Sequence, residues 1–394
     1  DNFNTAVGYE AGLSVTTGTN NTLVGGLAGD ALTTGSDNVA LGYNAIGGIT
    51  TGSYNIALGG QAGLALTSGS SQVLIGYRAG KALTTGARNV AIGHQALETE
   101  DGHGRNVAIG FMALNVLDAG SDSYNTAVGY IAGASITTGM QNTIMGGLAG
   151  DALTTGSDNT VLGYNSLSNA NAGNKSTAIG RSALRAQGYT FTDNTCDTVS
   201  GDATVNHDAN ALIIAGASVS GTGIPTGATV ASITSTTEFE LSANATAAGT
   251  NVTLTFTKAG LDFNNTAVGY FAGGAIETAK DNVLVGSFAG DALTTGSNNV
   301  AIGFHALSAE DAHSSNVAIG GYSLYSQNAG ANAYNTAVGY NTGFATTTAV
   351  RNTLIGGLAG DAVTSGSDNV SLGYAALTSN TIGNSNVAIG KDSM

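Results

Sequence analysis

Apolar side chains in this chain come in triplets framed by Asn and Gly, and the triplet returns every 17 residues. The first triplet position is Thr, Val or Ile. The second is mostly Ala, Leu, Ile or Val, and the third is Val, Ile, Leu or Met. Closing glycines fall at Gly8, Gly25, Gly42 and onward to Gly180, then from Gly269 to Gly390, which makes 19 repeats. A short fixed period is the signature of a stacked solenoid, whose units pack mainly on their neighbours. Side chains alternate along a strand, so the first and third positions share one face and the second takes the other. Both faces are apolar, which predicts a strand buried on both. A lone thin coil covers only its inner face, so the second face calls for other copies of the chain.

The framing residues add detail. Asn opens most repeats, as at Asn4, Asn21, Asn38, Asn55, Asn89 and Asn106, and stacked carboxamides are expected to bond from coil to coil. Three residues after each closing glycine stands Ala, Ser or Thr, a mark of tight corners. A second short apolar stretch follows, such as Ala31-Leu32 or Ala82-Leu83, and then Thr-Thr-Gly-Ser-Asp-Asn turns. Each coil thus reads as two short strands and two turns. At roughly 4.8 Å per coil, the first eleven coils span about 50 Å and the last eight about 40 Å.

The position after the closing glycine is aromatic at Tyr9, Tyr43, Tyr77, Phe111, Tyr130, Tyr164, Tyr270, Phe304, Tyr340 and Tyr374, often with Gly on the coil between. Large over small is a packing solution. An exposed aromatic column could equally grip sugar rings, and both readings stay open.

The period breaks at one kind of junction. It lengthens by two residues between Gly110 and Gly129 and between Gly320 and Gly339, and between Gly180 and Gly269 it spans 89 residues. A loop that tolerates small extensions is where a domain is expected to be inserted. The organisation is therefore a solenoid over 1–187, an inserted β-sandwich or β-barrel over 188–261, and a solenoid over 262–394. Strands in the insert are expected at Ala211–Ala215, Thr229–Ile233, Glu238–Leu241 and Asn251–Thr257, with Val252, Leu254 and Phe256 on one face.

Composition narrows the function. There are 60 Gly but one Pro and no Gly-X-Y period, so neither collagen nor disorder fits. A net charge of −15 with 11 scattered Lys and Arg opposes nucleic-acid binding and a basic membrane patch. No long apolar run points to membrane insertion. The single cysteine, Cys196, reads as a small structural residue. His103 and His313 sit at equivalent loop positions and read as solvated turn residues, while His94, His207 and His305 lack acidic partners at ligand spacing. Turn carboxylates at Asp37, Asp158 and Asp368 recur in register, but the calcium-roll signature is absent, so no metal and no cofactor are expected. No catalytic constellation stands out, and the chain is not read as an enzyme. A depolymerase would need a carboxylate pair, for which Glu238, Glu240 and Asp262 are the residues to test.

The units Asn38-Val-Ala-Leu-Gly42, Asn89-Val-Ala-Ile-Gly93, Asn106-Val-Ala-Ile-Gly110 and Asn386-Val-Ala-Ile-Gly390 resemble the head repeats of YadA-like trimeric autotransporter adhesins. The longer form Asn-Thr-Ala-Val-Gly-Tyr-x-Ala-Gly is similar to repeats in bacteriophage tail fibres. The resemblance covers the repeats and none of the insert. It implies a trimeric parallel β-roll and attachment to a host surface. The 17-residue period exceeds the usual adhesin head repeat, and these residues hold no coiled-coil stalk or membrane anchor, so a phage fibre, or a fragment of a longer protein, is expected rather than an intact autotransporter. The expectation is an all-β homotrimeric fibre on a virion, binding a bacterial surface glycan or receptor and joined to further fibre or virion proteins. The alternatives are a cell-surface adhesin and an extracellular filament or ice-binding solenoid.

Overall fold

The computed structural model of the chain describes residues 2–169, 173–187, 190–210, 213–257 and 261–394. The repeats form one parallel sheet of 19 three-residue strands, one per coil, and no helix occurs among the described residues. Each strand lies in register on the next, as in Thr5↔Thr22 and Val39↔Ile56. The chain is a parallel β-solenoid.

The two apolar faces have different fates. The middle triplet position points inward, and Leu23, Ala40, Ala57 and Leu74 are fully buried. Ala28, Ala45 and Ala62 and then Leu32, Ile49 and Leu66 complete the interior of their coils. The flanking positions point outward: Val39 and Leu41 are 38% and 52% exposed. Within one chain the strand is therefore covered on one side only.

Among the described residues the second strand expected at stretches such as Ala31-Leu32 is not found, and the repeats add to the 19-stranded sheet only a two-residue parallel pair, Gly173–Asn174 with Leu261–Asp262. Ala31-Leu32 lies in a turn, because Leu27 (φ 59°) and Gly29 (φ 55°) just before it are left-handed and interrupt the extended run. Coil-to-coil bonding continues there nonetheless, with Ala31 N donating to Gly47 O at 3.2 Å. The closing glycines are required by their surroundings. Gly42 has φ +141°, and a Cβ on it would stand 2.6 Å from the Gly59 carbonyl carbon.

The Asn column is a hydrogen-bonded ladder. Asn4 Oδ1 accepts from Asn21 N (2.8 Å) and Asn21 Nδ2 (3.0 Å), and Asn21 Nδ2 also donates to Gly35 O (3.0 Å). Asn21 Oδ1 and Asn38 Oδ1 repeat the pattern toward Asn38 and Asn55. Asn89 and Asn106 carry it on, through Asn89 N to Gln72 Oε1 and Asn106 N to Asn89 Oδ1.

The sheet crosses the 188–261 segment without losing a strand: Thr177–Ile179 pairs directly with Thr266–Val268. Ser176 cannot supply the carboxamide there, and Gln187 does so. Its Nε2 donates to Ser176 Oγ (2.7 Å) and its Oε1 accepts from Asn265 Nδ2 (3.0 Å).

Residues 190–257 form a six-stranded antiparallel sheet in the order Ser218–Gly221, Gly249–Thr257, Thr190–Thr198, Thr204–Asn206, Glu238–Leu241, Val230–Ser235. Its first and last strands meet through the Ser218↔Thr229 bridge and Val230 N to Ala217 O (2.8 Å), which closes a small barrel. Leu254 and Phe256 are buried with Cys196, Phe239 and Val205, and Val252 packs against them. The strand expected at Ala211–Ala215 is not found: Ile213 is a buried loop residue, and residues 211 and 212 lie outside those described.

Candidate functional site

Three features of the surface could carry function: the outward aliphatic column, the aromatic column beside it, and a cavity in the barrel. The aliphatic column consists of the third triplet position, aliphatic on every strand, flanked by the first, which is Val or Ile on ten strands and Thr on nine. It runs unbroken over all 19 strands, with Ile56, Met145, Leu162 and Ile302 each more than a third exposed.

The aromatic residues named from the sequence do form one exposed column, because each follows a closing glycine and the coils stack in register. Its local packing varies. Where Gly intervenes, the next ring lies over it: a Cβ on Gly60 would be 3.5 Å from the Tyr77 ring. Where rings follow each other they pack at 5.4 Å between successive centroids, Tyr77 tilted on His94, and His94, Phe111 and Tyr130 stacked. Stacked rings present edges to solvent rather than faces. Arg181 takes the column position between Tyr164 and Tyr270, with its guanidinium 5.9 Å from each ring.

Sequence reasoning missed a second aromatic column, one residue further along the coil. Phe288, His305 and Tyr322 stack at 4.8 and 5.6 Å, and Phe304, Tyr325 and Phe344 close around them. The signal was in the sequence as an aromatic-rich last arm, but a column appears only once the coil period is applied to every position. His305 has a polar partner as well: its Nδ1 is 3.1 Å from Ser308 Oγ, which is bonded to Asp291.

In the barrel, a cavity of about 410 Å³ is lined by His207, Asn210, Ile213, Ile233 and Ser235. The buried His207 ring packs on Phe239 at 5.5 Å, with Nδ1 3.9 Å from Asp193 Oδ2. His207 thus has the acidic neighbour that sequence spacing did not reveal. Burial works against the Asp193 carboxylate, but bonds from Thr195 and Asn210 outweigh it and hold its pKa below the usual range. Cys196 is buried beside it, and burial pushes its thiol up to about 12, which disfavours the thiolate at neutral pH.

The carboxylates singled out for glycan cleavage are separately engaged. Glu240 accepts from Thr204 Oγ1 (2.9 Å), Glu238 from Thr234 Oγ1 (2.7 Å), and Asp262 pairs with Lys175. The turn carboxylates are likewise apart from one another as cation ligands: Asp37 accepts from Asn20, and Asp368 pairs with Arg351. His103 and His313, expected to be solvated, are only 30% and 18% exposed, and each faces a buried glutamate, Glu100 or Glu310. The spacing Glu-x-x-His could have suggested this, but the glutamate's inward direction was not readable without the coil geometry.

No protein-family model, no curated protein and no solved structure matches the chain.

Proposed function

We propose that this chain is a rod-like attachment fibre that assembles as a homotrimer, and that it serves as a phage tail fibre adhering to a bacterial surface glycan. The observation that carries the reading is the exposed aliphatic column. Leu41 and Leu162, 52% and 45% exposed, belong to an uninterrupted strip along 19 strands. Contiguous apolar strips of this extent mark association surfaces. Covering the exposed part of each side chain contributes on the order of 1 kcal/mol, repeated at every coil. Three chains sharing an axis would bury all three strips at once, and the resemblance to trimeric fibres and adhesins supports that number.

The test is the solution mass of the full chain by light scattering coupled to size exclusion. A trimer near three times 38.7 kDa is the expected result. A monodisperse monomer would sink the shared-strip argument. The double variant Leu41→Asp, Leu162→Asp should lower the mass while keeping the β-type circular dichroism. Glycan adhesion is tested separately on a glycan array, where Phe304→Ala and Tyr322→Ala should weaken binding if the aromatic arm makes the contact.

Ice binding loses support from the threonines. Thr33, Thr50 and Thr67 Oγ1 donate to the carbonyls of Thr50, Thr67 and Thr84 on the following coils at 2.9, 3.2 and 3.1 Å. Their hydroxyls are spent within the coil stack rather than offered as a flat array.

A further inference from the structure

Seven residues after a closing glycine the side chain of many coils is buried in the interior, and the commonest residues there are Leu and Ile, as at Leu32, Ile49, Leu66 and Leu83. At two coils it is a glutamate instead. Glu100 and Glu310 are both fully buried. In each, Oε1 accepts from the backbone N–H of the histidine three residues on, His103 at 3.2 Å and His313 at 3.0 Å. In each, Oε2 is buried with no hydrogen-bond partner.

An orphaned buried carboxylate oxygen is costly, and this fold has a ready way to avoid it. At the same position of other coils stand Gln187 and Gln327, and both ends of each carboxamide are bonded. Thr346, at the same position of another coil, also has a buried unpartnered hydroxyl, but the glutamates are the carboxylates among these exceptions, and both are accompanied by the same neighbours. Asp101 and His103 follow Glu100, and Asp311 and His313 follow Glu310. His103 Nδ1 is 3.3 Å from Glu100 Oε1 and 4.0 Å from Asp101 Oδ1. His313 Nδ1 is 2.7 Å from Glu310 Oε1 and 4.0 Å from Asp311 Oδ1. Asp118 joins the first group from the next coil, and all ligand atoms in each group lie within 4.8 Å of one another. Among the described residues no lysine or arginine pairs with Glu100, Asp101, Asp118, Glu310 or Asp311, so this crowding of negative charge is not offset by a cation of the chain.

We propose that each Glu-Asp-x-His corner binds a divalent first-row transition cation such as Zn²⁺, through Glu100, Asp101, His103 and Asp118 in the first and Glu310, Asp311 and His313 in the second. Imidazole with carboxylates is the donor set such ions prefer over the all-oxygen sets of Ca²⁺ and Mg²⁺. Zn²⁺ bonds of about 2.0–2.1 Å place tetrahedral ligand atoms roughly 3.4 Å apart, so on binding the 2.7 Å His313–Glu310 contact would lengthen and the wider separations, up to 4.8 Å, would close. The two corners are not equal. Asn328 stands at the register position of Asp118, so the second corner lacks the third carboxylate, the fourth ligand of the first. Both lie on the coil before a lengthened junction, and in the first a cation held by Asp118 would tie that loop down.

The full chain, stripped with EDTA and dialysed, would be titrated with Zn²⁺ against a chromophoric chelator, with melting temperature followed in parallel. Two ions per chain and a higher melting temperature with Zn²⁺ are expected. Glu100→Gln and Glu310→Gln should each remove one ion, and the double variant both, together with the Zn²⁺-dependent rise. Gln is already accommodated at this position elsewhere, so these variants should fold, and unchanged circular dichroism checks it. Asp118→Asn should weaken the first site by about tenfold or more, and Asn328→Asp should strengthen the second similarly. If the native chain binds no Zn²⁺, or the double glutamine variant binds as much as the native chain, the proposal is wrong.

Discussion

The closing glycines are held by two independent constraints, backbone dihedral and the nearness of the next coil. Gly42→Ala meets both, with φ +141° and a Cβ 2.6 Å from backbone, and should cost about 2–4 kcal/mol in chemical denaturation. Gly120, with φ +69° and open space around its Cβ position, meets only the first, so Gly120→Ala should cost about 1 kcal/mol. Asp151 and Asp361 offer a pH test. Burial raises both carboxyl pKa values, so the folded chain keeps these protons to higher pH than the unfolded chain does. Their contribution is most favourable below the ordinary carboxylate pKa and is lost as pH rises through the raised one. Asp151→Asn with Asp361→Asn should therefore raise the melting temperature at pH 7, with the gain vanishing near pH 4. The glycines were legible because their 17-residue spacing holds at every junction but three. The left-handed residues Asp37, Asn44, Tyr54 and Gln61 were not, since only some are of the types that favour that conformation.

A coil is held to the next by its strand, its corners and its Asn rung together. The junction coil tests the rung. Gln187→Ala removes the carboxamide that joins Ser176 to Asn265, leaving Asn265 Nδ2 only its bond to Ala279 O at 2.8 Å. Hydrogen exchange at Thr177–Ile179 and Thr266–Val268 should accelerate, while Thr22–Val24 and Val39–Leu41 stay protected. The period and the ladder could be read from the Asn and Gly positions alone. Which strand face turns inward could not, because Val39 and Leu41 are as apolar as Ala40. The interior admits one small or aliphatic side chain per strand, and two branched ones flanking it do not fit. The second strand was over-read for a related reason: apolar residues such as Ala31-Leu32 can line a core from a turn. In the barrel, Glu238–Leu241 was legible by alternation, whereas Thr190–Thr198, rich in polar residues, was not.

The direct pairing of Thr177–Ile179 with Thr266–Val268 makes the rod independent of what lies between. Replacing residues 188–260 with the tripeptide Asp118-Ala119-Gly120 restores the 19-residue junction found at Gly110 to Gly129. That shortened chain should fold, keep the assembly state of the parent, and lose only the barrel's near-ultraviolet signal. The same pairing has a mechanical consequence. Tension along the rod passes from strand to strand across the junction, so the barrel is shunted out of the load path although the covalent chain runs through it. A tethered rod under pull would keep the barrel and its cavity unstretched until the junction strands part, and the barrel's contour length would be released only afterwards.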